Sequence, residues 1–245
     1  MRPVDFKTLL TIRFDAIRLA LLACILAAGF ALPAAATPMT FSINKYVGTG
    51  TAGPGPYGTV TLTQNGLNVD VDLTLNSSCC AFVKTGAGDA LLFNLDKSSI
   101  TLGSDSGFVL NTTDFKLVGG SGTPTTASAG TIHSGGGGDF SFAISCLGCG
   151  HGGSGVLPGP LDFTVTGVTI SDFIANTKGN FFATDICDGF SGTRCSGTPG
   201  ITGLAIADGP NNPPPRRVPE PITLTLFGAG LAGAFAVRRR KAKTA

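Results

Sequence analysis

In LNVDVDLTL, residues 67–75, Leu67, Val69, Val71, Leu73 and Leu75 alternate with Asn68, Asp70, Asp72 and Thr74. A period of two places leucine and valine on one face of a β-strand and the polar side chains on the other. The run YGTVTLTQ precedes it, and the intervening Asn65-Gly66 is the dipeptide favoured in a tight type I′ hairpin turn. FSINKYV, ALLFNLD, SSITLG, FVLNTTDFKLV, DFSFAIS, LDFTVTGVTISDF, NFFATDI and ITGLAIA have the same strand character. Gly, Ser, Thr and Pro separate these runs, and none of this region carries a sustained helical stripe. The pattern predicts an all-β domain, a single antiparallel β-sandwich of jelly-roll type.

Composition adds detail inside that frame. The seventeen Phe fall mostly in the strand patterns and read as core, while Trp is absent and Tyr46 and Tyr57 are the two tyrosines. The Gly-rich segments SGGGGDF (Ser134–Phe140) and HGGSGVLPGP (His151–Pro160) lack the Lys-Ser/Thr of a phosphate-binding loop and read as long flexible loops. Asp70 and Asp72 share a strand face, about 7 Å apart at the strand rise. They could join a calcium site, but a solvated strand face accounts for them first.

The two ends have a different pattern. Arg2, Lys7, Arg13 and Arg18 precede the apolar run LALLACILAAGFAL, which ends at Leu32. That run is too short for an ordinary membrane span and suits a signal-peptide core. Ala34 and Ala36 supply the small-residue cleavage site for a signal peptidase, so the mature chain is expected to start at Thr37. Within the run, LLAC (Leu21–Cys24) resembles a lipoprotein box, although the apolar stretch continues past Cys24 where a mature lipoprotein turns polar.

At the other end NNPPPRRVPEP has five prolines in eleven residues, which remove amide donors and fix φ, so it stays extended. Ile222 to Val237 is uncharged and apolar, slightly short for a spanning helix, and Arg238, Arg239, Arg240, Lys241 and Lys243 follow. Clustered positive charge beside a span stays cytoplasmic, which leaves the preceding domain outside. GAGLAG (Gly228–Gly233) fits a dinucleotide-binding fingerprint, but the second strand and acidic residue that such a unit needs have no room to follow. The division expected is a signal peptide at 1–36, an exported domain at 37–209, a proline-rich linker at 210–221, a transmembrane sorting helix at 222–237 and a basic tail at 238–245.

The formal charge of +2 belongs to the precursor. From Thr37 to Pro215 there are six bases (Lys45, Lys84, Lys97, Lys116, Lys178, Arg194) against twelve aspartates and no glutamate, a balance of −6. A domain of that charge has no basic patch for phosphate, which excludes nucleic acid as an expected partner.

Without Cys24, six cysteines remain: Cys79, Cys80, Cys146, Cys149, Cys187 and Cys195. An even number in an exported chain favours disulfides over free thiols. Cys187 with Cys195 closes a small loop and is the first pairing expected; adjacent Cys79 and Cys80 are each expected to bond elsewhere, or one of them within CLGC. CLGCGH (Cys146–His151) lacks the histidine directly after the second cysteine that a c-type haem needs. Zinc on Cys146, Cys149, His151 and a cysteine of the 187/195 pair has workable ligand types, yet oxidising conditions compete for the thiols. A cysteine nucleophile beside His133 or His151 meets the same objection. No cofactor and no metal is expected.

Val218-Pro219-Glu220-Pro221, the short apolar segment and the terminal Arg cluster resemble the PEP-CTERM sorting signal of exopolysaccharide-producing Gram-negative bacteria. The resemblance covers about the last 28 residues together with the expected signal peptide. It implies that a membrane enzyme, exosortase, reads and cuts near the motif and passes the protein from the inner membrane to the cell surface or extracellular matrix; any catalytic cysteine belongs to that enzyme. YGTVTLTQNG with GAGDALLFNL is also similar to the N-terminal half of many PEP-CTERM proteins. The expected function is that of a non-enzymatic surface or matrix protein associated with exopolysaccharide, with a carbohydrate-binding module and a secreted hydrolase as alternatives. A sugar-binding module would want exposed aromatics, and a hydrolase would have to draw two carboxylates from the aspartates.

Overall fold

Residues Gly58–Asn65 and Asn68–Leu75 form the expected hairpin, with Asn65 facing Asn68 across the ladder. The turn residues are therefore Gly66 and Leu67, one position later than the Asn-Gly pattern places them. Gly66 has φ +60°, and no described residue other than glycine has positive φ. Glycine alone at the first turn position defines a type II′ rather than a type I′ turn. Leu67, expected on the apolar face, consequently sits at the hairpin tip and is 82% exposed.

The computed structural model describes residues 37–85, 88–103, 108–123, 125–197 and 199–211, together with Gly230. The expected signal peptide, the linker beyond residue 211, the sorting helix apart from Gly230 and the basic tail lie outside the described residues. Among the described residues no helix is long and apolar enough to cross a membrane.

In chain order the strands are β1 (Met39–Ile43), β2 (Lys45–Val47), β3 (Gly58–Asn65), β4 (Asn68–Leu75), β5 (Cys80–Phe82) and β6 (Asp89–Leu95). Next come β7 (Ser99–Thr101), β8 (Phe115–Val118), β9 (Gly122–Thr123), β10 (Thr126–Ser128), β11 (Ile132–His133) and β12 (Asp139–Phe140). The last are β13 (Phe142–Cys146), β14 (Leu161–Thr166), β15 (Phe173–Ile174), β16 (Phe182–Asp188) and β17 (Ile201–Ala207). All belong to one compact unit, Ala36–Pro214.

The expected all-β, antiparallel class holds, with several sheets. One has the order β1-β3-β4-β14, and a larger one runs β2-β17-β16-β6-β13-β8 with β5 and β15 joined to β16 and β6. Strands β7-β10-β9 and β11-β12 make two small sheets. The first strand run breaks at Asn44, so β1 serves the smaller large sheet and β2 the bigger one. The Asn44 amide donates to the Ile206 carbonyl at 3.2 Å, which fixes the crossing point.

The two large sheets share one core. Val60, Leu62, Val69, Val71, Leu73 and Phe163 of the four-stranded sheet cluster with Leu91, Phe93, Phe142, Ile144, Phe182 and Ile186 of the larger one. Phenylalanine rings make the contact: Phe41 meets Phe182 at 4.9 Å, and Phe93 meets Phe163 at 5.9 Å. Each such ring removed from water stabilises the fold by about 1.5–3 kcal/mol.

The larger sheet is covered on its other face as well. Leu92, Phe140, Ala143, Ala183, Leu204 and Ile206 form a second cluster there, and Ala81, Val83, Val156 and Cys187 a third. Every residue of β6 and β16 is buried, which explains why neither alternates in sequence. Part of the cover comes from SGGGGDF, expected as a long flexible loop. It folds instead as the β11-β12 hairpin around a 3₁₀ turn at Gly135–Gly137. Asn176 and Asn180 both donate side-chain amides to the Gly137 carbonyl at 2.8 Å, so the glycine segment is held by hydrogen bonds it has no side chains to make itself.

Candidate functional site

The covered face of the larger sheet is indented by a cleft of about 390 Å³. β17 contributes Thr202, Gly203 and Leu204, the segment after β2 contributes Gly48 and Thr49, and the β11-β12 hairpin contributes His133 and Gly135. Thr85, Leu92, Ser134 and Asp185 complete it. Asp185 is there because β16 alternates between the shared core and the outer face: Phe182 and Ile186 point inward and Ala183 outward.

Asp185 is 6% exposed. Its Oδ2 accepts the Gly88 amide at 3.1 Å and the Asp89 amide at 3.3 Å. Gly88, at φ +77°, turns these two successive N–H groups onto the same oxygen. Burial nevertheless dominates and pushes the Asp185 carboxyl up to about 7, with Asp89 adding a raising contribution and the two amides opposing it. Asp89 is 4% exposed and is likewise pushed up to about 7 by burial, against the lowering effect of Lys84. At the mouth, His133 Nδ1 and Asp139 Oδ1 lie 2.7 Å apart on an exposed pair of strands.

On the outer face of the smaller sheet Asp70 is 7% exposed rather than solvated, and side-chain donors hold the aspartates. Asp70 accepts hydrogen bonds from the Thr164 hydroxyl at 2.5 Å and the Asn65 side-chain amide at 3.2 Å. Asp72 accepts the Thr74 hydroxyl at 2.8 Å and faces Asp162 directly across the ladder. Burial raises the Asp162 carboxyl first and the neighbouring Asp72 raises it further.

The six cysteines among the described residues form three disulfides. Cys187–Cys195 is the pairing expected, and Cys146–Cys149 closes within CLGC. Cys79 and Cys80 bond to each other, which corrects the expectation that each would bond elsewhere or within CLGC. The chain turns sharply there: both cysteine amides donate to the Asn76 carbonyl, and the Gly189 amide holds the Cys79 carbonyl at 2.7 Å. Fixed in that turn beside β16, neither sulfur reaches CLGC. The thiols considered for zinc, and those considered beside His133 or His151, are joined in disulfides. Cys79, Cys80 and Asp188 lie with potential ligand atoms within 4.8 Å of one another, but the two sulfurs are bonded together. Tyr57 is buried, Tyr46 is half-buried, and their rings lie 6.1 Å apart, so neither is presented as an open platform for a sugar ring.

Sequence reading missed Asp89, Asp162, Asp185 and Asp188. The available signal was DICD inside the otherwise apolar β16: acidic residues in a strand without alternation are covered on both sides. Ala34, Ala36, Val218, Pro219, Glu220, Pro221, Arg238, Arg239, Arg240 and Lys241 lie outside the described residues.

Those last residues define the class: a β-protein whose tail is a sorting signal. Residues 217–241 match the PEP-CTERM protein-sorting motif, which takes in the Pro-Glu-Pro, the apolar segment and the basic cluster through Lys241. The chain carries that sorting motif, which implies export and processing by an exosortase-type membrane enzyme on the way to the cell surface. No characterised protein and no solved structure matches the chain.

Proposed function

We propose that this protein acts without enzymatic activity at the cell surface or in the extracellular matrix, in a structural or adhesive role alongside exopolysaccharide. The observation that carries the reading is the PEP-CTERM motif at 217–241, placed after an acidic, disulfide-bonded β domain. In this reading signal peptidase removes 1–36, the domain folds outside as a single sandwich of jelly-roll type, and 222–237 holds it in the inner membrane until exosortase acts. The prolines keep the motif extended and deny it hydrogen-bonded structure, so a membrane enzyme can bind it, while the arginines fix its depth.

Tagged protein expressed in a host with exosortase and in its deletion strain tests the sorting step. Tail-containing precursor should accumulate in membranes of the deletion strain. Glu220→Ala should do the same in the intact host, although hydrophobicity and topology barely change. Equal release from both strains, or normal release of Glu220→Ala, would leave a plain tail anchor. A glycan array with the released protein tests the second half: binding to polysaccharide without turnover supports the adhesive role, and hydrolysis of a glycan defeats it.

A further inference from the structure

The sorting signal gives no role to the Asp185 cleft, whose chemistry is specific. Asp185 Oδ2 is committed to the Gly88 and Asp89 amides, while Oδ1 has no hydrogen bond to a described residue. The ion pairs among the described residues, Lys97–Asp172 and His133–Asp139, do not include it. The charged groups around it are Asp89 beside it, Lys84 acting on Asp89, and His133 at the mouth held by Asp139. The remaining lining consists of Thr49, Thr85, Ser134, Thr202 and glycine backbone together with Leu92 and Leu204, with no aromatic ring.

We propose that this cleft binds a small hydroxyl-rich molecule carrying one protonated primary amine, an amino sugar with its amine free. An ammonium group brings three donors and a compact positive charge to a single available carboxylate oxygen. A guanidinium would want both oxygens for its fork, and Oδ2 is already occupied. Calcium would want six or more oxygen ligands, against one carboxylate oxygen. The threonine hydroxyls suit a polyol, and the volume falls in the usual range for small-molecule sites of about 300–1,000 Å³. Because burial holds the Asp185 carboxyl up at about 7, binding a cation requires it to lose its proton, so affinity depends on pH. Sorting does not depend on this site.

The test is calorimetry on the released, oxidised protein with 6-amino-6-deoxyglucose and glucosamine, against glucose and N-acetylglucosamine. At neutral pH the amino sugars should bind at least tenfold tighter than the neutral ones. For 6-amino-6-deoxyglucose, affinity should fall about tenfold between pH 8 and pH 6. Asp185→Asn should remove the discrimination, whereas Asp72→Asn on the opposite sheet should not. A His133→Gln arm takes the imidazole out of the comparison and should keep the pH slope. Should Asp185→Asn fail to fold, the pH slope and the ligand series in the unaltered protein still decide. Equal binding of all four sugars, binding of none, or a flat pH response would overturn the proposal.

Discussion

The two large sheets hold their aspartates by different partners. On the outer face of the four-stranded sheet Asp70, 7% exposed, accepts side-chain hydrogen bonds from Thr164 and Asn65, and half-buried Asp72 accepts one from Thr74 on its own strand. The larger sheet is covered on both faces, and there Asp89 and Asp185 are driven up to about 7. The difference lies in the partners: Asp70 and Asp72 face side-chain donors, whereas Asp185, under a hairpin and a glycine turn, has two backbone amides on one oxygen and gives up its charge, or needs a cation to keep it.

The largest effect should come from the contact that joins the sheets. Phe93 is fully buried and packs against Phe142, Phe163 and Phe173, so Phe93→Ala should cost about 3–5 kcal/mol, measured by denaturant unfolding of the oxidised domain. A loss below about 1 kcal/mol would mean that the sheets are not held together there.

Next is the covered carboxyl pair. A carboxyl whose native value lies above its unfolded one binds extra protons when folded. Its burial therefore favours folding fully below about pH 4, and that advantage is lost as pH rises through about 7. The melting temperature should be higher at pH 5 than at pH 8. Asp185→Asn should flatten that profile and stabilise the protein at pH 8 by on the order of 3 kcal/mol. A melting temperature that rises from pH 5 to pH 8 would contradict the assignment.

Smaller effects belong to the hairpin tip. A Cβ at Gly66 would meet no atom within 4 Å, so Gly66→Val acts through its positive φ alone and should cost about 1–2 kcal/mol. Leu67→Thr, one residue on, should fall within about 0.5 kcal/mol of zero by thermal melting.

The open sheet was legible because its alternation is a direct record of one wet and one dry face. Even there the turn slipped by one position: Asn65-Gly66 satisfies the type I′ preference, but pairing Asn65 with Asn68 moves the turn to Gly66-Leu67 and takes Leu67 out of the core. The covered sheet could be read as strands but not as a site. Thr49, Thr85, His133, Asp185 and Gly203 are far apart in the chain and meet only when the β11-β12 hairpin closes over β16 and β17. The Cys79–Cys80 bond was illegible for a related reason, since it depends on a turn clamped from Gly189. The tail was legible because its signal is local: the enzyme that reads it needs Pro-Glu-Pro, an apolar stretch and basic residues in one short span.

An intact-mass measurement on protein released by an exosortase-bearing host bears most directly on the claim of a sorted, exported, disulfide-bonded domain. The expected chain begins at Thr37, lacks residues 222–237, and gains six hydrogens on reduction, two for each of the three disulfides. A released chain that still carries the apolar tail, or one with the tail removed but no mass gain on reduction, would contradict it.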